Sequence, residues 1–148
     1  MTRTPADSQP RMPARTKARK RALDILFEAE LRGRSMRETL SDRMAAGDPP
    51  VAEYTIQLVE GTAARIEEID QVLADYAEGW SLDRMPTIDR NLLRLAAYEL
   101  LCVDEVPNAV AISEAVRLAG DLSTESSAHF VNGVLSSVDR DRPAVTQL

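Results

Sequence analysis

IDRNLLRLAAYELLCV, residues 88–103, is long enough for four helical turns and carries apolar side chains on nearly every side. A helix that is apolar all round is stable in a soluble protein when other elements cover it. We therefore predict that this segment is the buried centre of the fold. We expect its charged residues Arg94 and Glu99 to form internal ion pairs. Asp89 and Arg90 either do the same or contact a partner protein.

Helical spacing of apolar residues continues on both sides of this centre. Gly33 is expected to end the first helix, and Ser35 with Glu38 forms a capping-box pattern that starts the second. The third is expected to be one long helix that ends near Gly79. Thr87 and Asn108 are placed to cap the two helices that follow. The apolar pattern of the six predicted helices begins, in chain order, at Ala18, Leu40, Leu58, Ile88, Val110 and Phe130.

The dipeptide Asn132-Gly133 between apolar pairs is a strong hairpin signal when it is taken alone. The apolar residues around it nevertheless repeat with helical spacing as far as Val138, so we predict a helix there. Gly133 and Gly61 are interpreted as positions where another part of the chain comes close. With no convincing strand elsewhere, the sequence predicts an all-α fold of six to seven helices around the central one.

Charge is distributed very unevenly along this chain, whose formal net charge is −6. Residues 1–21 carry a net charge of +6, so the remaining 127 residues carry −12. Five of these cations lie at the start of the first predicted helix, an end that disfavours positive charge. This basic segment consists of Arg15, Lys17, Arg19, Lys20 and Arg21. We predict that it forms a collar on the exposed side of the helix and binds a polyanion, the alternative being a solvated leader that only aids solubility.

The sequence lacks the residue patterns that several kinds of catalytic or metal-binding site require. The six glycines never cluster into a phosphate-binding loop, and the single cysteine and single histidine offer no metal site with the usual ligand spacing. Cys102 is expected to be inert, and no disulfide can form within the chain. We therefore predict no enzyme activity, no cofactor and no metal. No segment has the length and apolarity of a membrane span or secretory signal, so we expect a cytoplasmic protein.

Four stretches together resemble the NusB family of bacterial transcription antitermination factors. They are ARKRALDILFEAE (18–30), WSLDRMPTIDRNLLRLAAYELL (80–101), VPNAVAISEAVRLAGDLS (106–123) and SAHFVNGVL (127–135). Their combination is specific, whereas each alone would be weak. The resemblance implies two small three-helix bundles. It also implies binding of boxA, a single-stranded RNA element of ribosomal RNA leaders, together with the small-subunit ribosomal protein NusE, in support of RNA polymerase.

The resemblance also implies site residues. The RNA-binding residues that it carries over are Arg15, Lys17, Arg19, Lys20, Arg21 and Phe130. Phe130 either stacks on a base or is a core residue. Asp89 and Arg90 are the candidates for the protein-partner surface. Thr16 interrupts the basic run, and Phe27 stands where relatives often have tyrosine, so no RNA role is carried over to Phe27.

The expected organisation is a disordered tail over residues 1–14, one RNA-binding domain over 15–138 and a flexible tail over 139–148. A homodimer is possible. Two alternative functions remain open, a helical adaptor that binds only proteins and a stand-alone RNA-binding domain acting in ribosomal RNA processing or modification. A ribosomal RNA methyltransferase is disfavoured, because no cofactor-binding segment follows the helical domain.

Overall fold

The structure is a computed structural model that describes residues 13–145, and all regular secondary structure in that range is helical. The prediction of an all-α fold is confirmed. Residues 1–12, on which most of the predicted disordered tail falls, and residues 146–148 lie outside the described range. The α-helices are α1 (Ala14–Arg32), α2 (Met36–Ala46), α3 (Glu53–Ala64), α4 (Ile66–Tyr76), α5 (Thr87–Cys102), α6 (Asn108–Leu122) and α7 (Glu125–Asp141), with a single 3₁₀ turn at Leu82–Arg84 between α4 and α5.

The helices form two groups that share one core. Helices α1, α2 and α3 pack against one another, and so do α5, α6 and α7. Helix α4 packs on α5 and α7. Helix α5 contacts α1, α3, α4, α6 and α7, so the predicted central helix does join the two groups. No helix within residues 13–145 has the length and apolarity needed to cross a bilayer.

Burial explains why α5 is the centre of the molecule. Ten of its 16 residues are buried, and Leu93 and Ala97 are fully enclosed. Burying one leucine side chain is worth about 1.5–3 kcal/mol. Arg94 is paired with Asp70, whose two carboxylate oxygens lie 2.8 and 2.9 Å from the Arg94 guanidinium. The expected internal ion pair of Arg94 is therefore confirmed.

Gly61 on α3 marks a close contact with the central helix. A Cβ atom added at Gly61 would lie 2.0 Å from Cζ of Tyr98 on α5, far inside van der Waals contact. The expectation of a close approach is confirmed at this glycine. It is wrong at Gly133, where no neighbouring atom lies within 4 Å of the same added Cβ.

Several helix boundaries differ from their prediction. The expected long third helix is interrupted at Arg65, whose backbone angles of φ −120° and ψ 21° separate α3 from α4. Thr87 and Asn108 are not caps but the first residues of α5 and α6. Pro86 and Pro107 occupy the cap positions instead, because the fixed φ of proline suits the extended conformation of a cap residue.

The early helix ends agree better with the sequence. Gly33 ends α1 in the left-handed conformation at φ 66°, and the Ser35–Glu38 capping box is present with both reciprocal hydrogen bonds. At the other end of the chain the helices run longer than expected. Helix α6 continues two residues past Gly120, and α7 extends to Asp141, beyond the boundary predicted at residue 138.

Candidate nucleic-acid interface

The basic segment occupies the first two turns of α1. This helix begins after Pro13, with no side-chain cap and no acidic residue of its own in its first turn. Lys17 and Lys20 are exposed to solvent, and Arg21 is partly exposed. The other two cations, Arg15 and Arg19, are engaged by carboxylates from elsewhere in the chain. The structure thus separates the five cations of the basic segment into those held by carboxylates, Arg15 and Arg19, and those that line the solvent-facing side.

Arg19 does not belong to an exposed collar, and the prediction is wrong at this residue. Its exposed fraction is 5%, and its Nε lies 2.9 Å from Oε1 of Glu99 on α5. Its Nη1 lies 3.0 Å from Oε1 of Glu114 on α6. The spacing of the apolar residues of α1 places Arg19 at the edge of the buried face, but it carries no information on how far α5 and α6 extend over that edge.

A network of hydrogen bonds surrounds Arg19 and attaches the start of α1 to the rest of the fold. The Thr16 hydroxyl donates to Glu114, and the Tyr54 hydroxyl of α3 donates to Glu99. Burial and the hydrogen bond to Glu99 raise the pKa of Tyr54, which therefore donates as a neutral phenol. We call Thr16, Arg19, Tyr54, Glu99 and Glu114 the anchor network. The carboxylates of Glu99 and Glu114 supply negative charge near the N-terminus of α1, whose first turn contains no acidic residue.

Arg15 is held more loosely at the edge of the anchor network. Its Nη2 lies 3.0 Å from Oε1 of Glu105, and its guanidinium carbon lies 4.4 Å from the centre of the Tyr54 ring. Its side chain is 45% exposed, and an exposed ion pair of this kind contributes little to stability. Arg15 is therefore oriented by the fold and remains accessible to a ligand.

Lys17, Lys20 and Arg21 line an open groove of about 630 Å³. We call these three residues the basic face. The groove is also lined by Pro49 and Pro50 of the loop between α2 and α3. In the sequence, these prolines suit the start of a helix, and nothing there indicates that their loop lies beside α1.

Phe130 lines a second cavity, of about 350 Å³, on another part of the surface. Its ring centre lies 5.9 Å from that of Trp80, with the two rings tilted by 49°. Trp80 is 48% exposed, whereas Phe130 is partly buried and packs against the core. Phe130 is therefore packed as a core residue on one side and lines a cavity on the other, and its contact with RNA stays a prediction. We call this cavity the Trp80 pocket, and its lining residues are Trp80, Met85, Pro86, Asp89, Ser123, Thr124, Ser126, Ser127 and Phe130.

Asp89 lies in the same Trp80 pocket. Only 4% of this residue is exposed, and the Ser127 hydroxyl donates to its Oδ2 over 2.7 Å. Ser127 is in turn positioned by Thr124, which accepts a hydrogen bond from the Ser127 backbone N–H at the start of α7. Asp89 and Phe130 thus line one pocket, although the sequence offered a protein partner as one option for Asp89 and RNA as one option for Phe130.

Arg90 is used inside the fold. Its guanidinium donates to Glu30 and to the backbone carbonyl oxygens of Leu82 and Met85, which lie 2.7 and 2.9 Å from Nη1. The hydrogen bond from Arg90 lowers the pKa of Glu30. These bonds give Arg90 a structural role inside the fold, and the partner contact that the sequence left open stays a prediction.

The remaining candidate groups do not form a reactive centre. Within residues 13–145 there is no group of three or more histidine, cysteine, aspartate or glutamate side chains placed to hold a metal ion. Cys102 is partly buried, and this burial raises the pKa of its thiol, which lowers its reactivity at neutral pH. His129 is exposed on α7 beside Phe130.

Comparison with known proteins gives matches over nearly the whole of this chain. The model of the NusB family matches residues 16–140. The transcription antitermination protein NusB of Acidothermus cellulolyticus is 61% identical over 135 residues, which cover 91% of this chain and 93% of that protein. The protein of the same name from Streptomyces coelicolor is 49% identical over 139 residues, covering 90% and 98%.

Solved structures show the same architecture. Thermotoga maritima NusB superposes with a TM-score of 0.74 at 31% identity, covering 89% of this chain and 94% of that one. A chain from the crystal structure of antitermination factors NusB and NusE in complex with double-stranded RNA superposes with a TM-score of 0.76 at 29% identity. That match covers 86% of this chain and 96% of the other.

Proposed function

The chain belongs to the NusB family, and on that premise we propose that it is a non-catalytic transcription antitermination protein. It binds the boxA element of ribosomal RNA leaders together with NusE, and so helps RNA polymerase to read through terminators. It acts in the cytoplasm. A solved relative contains NusB and NusE in complex with double-stranded RNA, which supports RNA and NusE as the partners.

The basic face is the single observation that carries the RNA part of the proposal. Lys17 and Lys20 are the only lysines of the whole chain, and both are exposed beside Arg21 along one groove. Each cation that neutralises a phosphate releases a counterion, which makes binding favourable and dependent on salt. The groove is also lined by Asp24, so its three cations outnumber its carboxylate. Such a groove on a chain with a net charge of −6 restricts the places where RNA can approach.

The structure changes which residues we assign to RNA. The basic face makes the main phosphate contacts, and Arg15 adds a contact at its edge. Arg19 is reassigned as a positioning residue, because its guanidinium is enclosed by Glu99 and Glu114. Phe130 contacts RNA through the part of its ring that lines the Trp80 pocket.

The acidic remainder of the chain suits the second partner. Residues 22–148 carry a net charge of −12, and ribosomal proteins that bind RNA are generally basic. Opposite charges steer two proteins together and suppress wrong partners. The complex then distinguishes one RNA sequence from another through unstacked bases that contact its side chains.

The test is a titration of fluorescently labelled single-stranded boxA RNA, with and without NusE, at several salt concentrations. Substituting Lys17, Lys20 and Arg21 together by alanine should reduce the slope of log affinity against log salt by about 2, since each phosphate contact on a single strand contributes about 0.7. The matched control removes Arg32, Arg37 and Arg140, three exposed cations. Arg32 lies about 22 Å along α1 from Lys17.

Equal slopes for the two triple variants would contradict the assignment of the basic face. Absence of RNA binding both with and without NusE would contradict the function itself and favour the protein-binding adaptor.

Lysine-specific acetylation gives an independent measurement, because Lys17 and Lys20 are the only lysine side chains that can react. Both should be protected by boxA RNA.

A further inference from the structure

The open groove beside α1 contains one carboxylate among its cations. Asp24 lines this groove together with the basic face, one helical turn after Lys20 and Arg21. Within residues 13–145 the Asp24 carboxylate accepts no hydrogen bond and forms no ion pair. A carboxylate in this position repels phosphates, so a ligand group that contacts it must bring a hydrogen-bond donor.

Asp24 lies on the same stripe of α1 as the three cations of the basic face. An α-helix turns by about 100° per residue, so all four side chains lie within roughly 100° of its circumference. Lys20 and Arg21 precede Asp24 by one turn, on either side of its direction, and Lys17 precedes it by two. Side chains three or four positions apart have Cβ atoms about 5–6 Å apart. A phosphate held between Lys20 and Arg21 thus brings the adjoining sugar within reach of the Asp24 carboxylate.

The opposite wall of the groove does not satisfy this carboxylate. Pro49 and Pro50 have no backbone N–H, and the Thr55 hydroxyl already donates to a backbone carbonyl of α1 over 3.0 Å. The groove partly removes Asp24 from water, and this desolvation raises its pKa against the opposing effect of the two nearby cations. A donor that arrives with the ligand would offset this cost.

The sugar is the part of a nucleic-acid backbone that can donate to Asp24. Phosphate and ring oxygens only accept hydrogen bonds, whereas the 2′-hydroxyl of ribose both donates and accepts and is absent from DNA. This hydroxyl is present at every nucleotide whatever its base, as the phosphates are. A contact with the sugar therefore suits a surface whose other contacts are with the backbone.

We propose that Asp24 accepts a hydrogen bond from a ribose 2′-hydroxyl and thereby makes the basic face selective for RNA over single-stranded DNA. This inference rests on the proposed RNA-binding function and adds a determinant of sugar identity to it. With RNA, the hydrogen bond offsets the repulsion between the carboxylate and the neighbouring phosphates. With DNA, the repulsion remains and no hydrogen bond forms, so Asp24 acts against the wrong ligand.

The test compares three labelled 12-residue oligomers that differ only at the 2′ position of the sugar. They are built from uridine, 2′-deoxyuridine and 2′-fluorouridine, and the last keeps the sugar shape of RNA but cannot donate a hydrogen bond. Binding to the unaltered protein is measured by anisotropy at low salt, where backbone contacts dominate. We expect the deoxy and fluoro oligomers to bind about tenfold more weakly than the uridine oligomer, as one hydrogen bond to a charged group predicts.

Two variants separate sugar selection from simple repulsion. Asp24→Ala removes both the acceptor and the negative charge, so it should strengthen binding of the deoxy and fluoro oligomers more than that of the uridine oligomer. The preference for uridine should then fall below about threefold. Glu67→Ala is the matched control, because Glu67 is an exposed carboxylate on α4 and its loss changes the net charge by the same amount. This control should leave the preference for uridine unchanged.

Each other outcome overturns the inference in a recognisable way. Equal affinity of the unaltered protein for the uridine and fluoro oligomers would exclude a hydrogen bond from the 2′-hydroxyl. Equal strengthening of all three oligomers by Asp24→Ala would show that Asp24 only repels phosphates. A preference for uridine that persists in Asp24→Ala would place the sugar contact elsewhere. Binding of boxA RNA without binding of any oligomer would overturn this inference alone, whereas absence of all RNA binding, with or without NusE, would overturn both proposals.

Discussion

Arg19 on α1 and Glu99 on α5 form an ion pair that is almost entirely removed from water, with side-chain exposures of 7% and 3% and a separation of 2.9 Å between Nε and Oε1. This pair joins the helix that carries the basic face to the central helix of the fold. A residue that charge pattern alone assigns to RNA is therefore part of the support for the basic face.

Replacing Arg19 by methionine should lower the free energy of unfolding by about 3–5 kcal/mol, because Glu99 would remain buried without its charged partner. Urea denaturation at neutral pH measures this change. The exposed Lys20→Ala variant is the control and should change stability by no more than about 0.5 kcal/mol. Adding Glu99→Gln to Arg19→Met should recover part of the loss. A fully additive double variant would show that the two side chains are not coupled.

The Arg19→Met and Lys20→Ala variants should also differ in RNA binding. At a temperature where both are folded, Arg19→Met should keep the salt slope of the unaltered protein, because its guanidinium is enclosed by carboxylates of the chain. Lys20→Ala should reduce the magnitude of that slope by about 0.7. Anisotropy of labelled boxA RNA across salt concentrations measures both. A reduced slope for Arg19→Met would return Arg19 to the RNA-binding surface.

Two glycines within helices should respond in opposite directions to alanine. Gly61→Ala should destabilise the protein by about 1–3 kcal/mol or more, because the new Cβ overlaps the Tyr98 ring. Gly133→Ala should stabilise it by up to about 1 kcal/mol through higher helix propensity, because no atom lies within 4 Å of its new Cβ. Thermal unfolding distinguishes the two. Tyr98→Leu in the Gly61→Ala background should cost less than it does alone, and simple additivity would argue against the overlap.

Acid should remove the contribution of Glu30 to stability. The hydrogen bond from Arg90 lowers the pKa of Glu30 in the folded state below its usual value of 4.5. This contribution is therefore fully present above pH 4.5 and is lost as the pH falls through the folded pKa. The difference in unfolding free energy between the unaltered protein and Glu30→Gln should shrink between pH 6 and pH 3. A constant difference over that range would contradict the role of the Glu30 charge.

All three tyrosines should ionise late. Burial raises the pKa of Tyr54 and of Tyr98, and the hydrogen bond to Asp141 raises the pKa of Tyr76, each above the usual 10.0. The folded protein should therefore show less than half of its full phenolate absorbance at pH 10. Because these tyrosines favour the neutral form in the folded state, the stability that they contribute is present below pH 10 and declines above it. Half-ionisation of the folded protein below pH 10 would contradict these shifts.

Residues 88–103 were sufficient to predict the central helix, because a helix that is apolar on every side requires neighbours on every side. Local signals also located Gly33 as the end of α1 and Ser35 as the cap of α2, since both depend on interactions within a few residues. The break at Arg65 could not be seen in the same way. Helical spacing of apolar residues continues across it, but in the structure α3 packs on α1, α2 and α5, whereas α4 packs on α5 and α7.

The sequence by itself determined the helical class, the central position of α5 and the presence of a basic segment at the start of α1. Only the tertiary structure decided that Arg19 faces Glu99 while Lys17 and Lys20 face solvent, and that Asp89 meets Phe130 in one pocket. The physical reason is the separation along the chain between the residues that interact. Helix formation and capping depend on residues three or four positions apart, whereas a charge is paired or left free by partners 80 or more residues away.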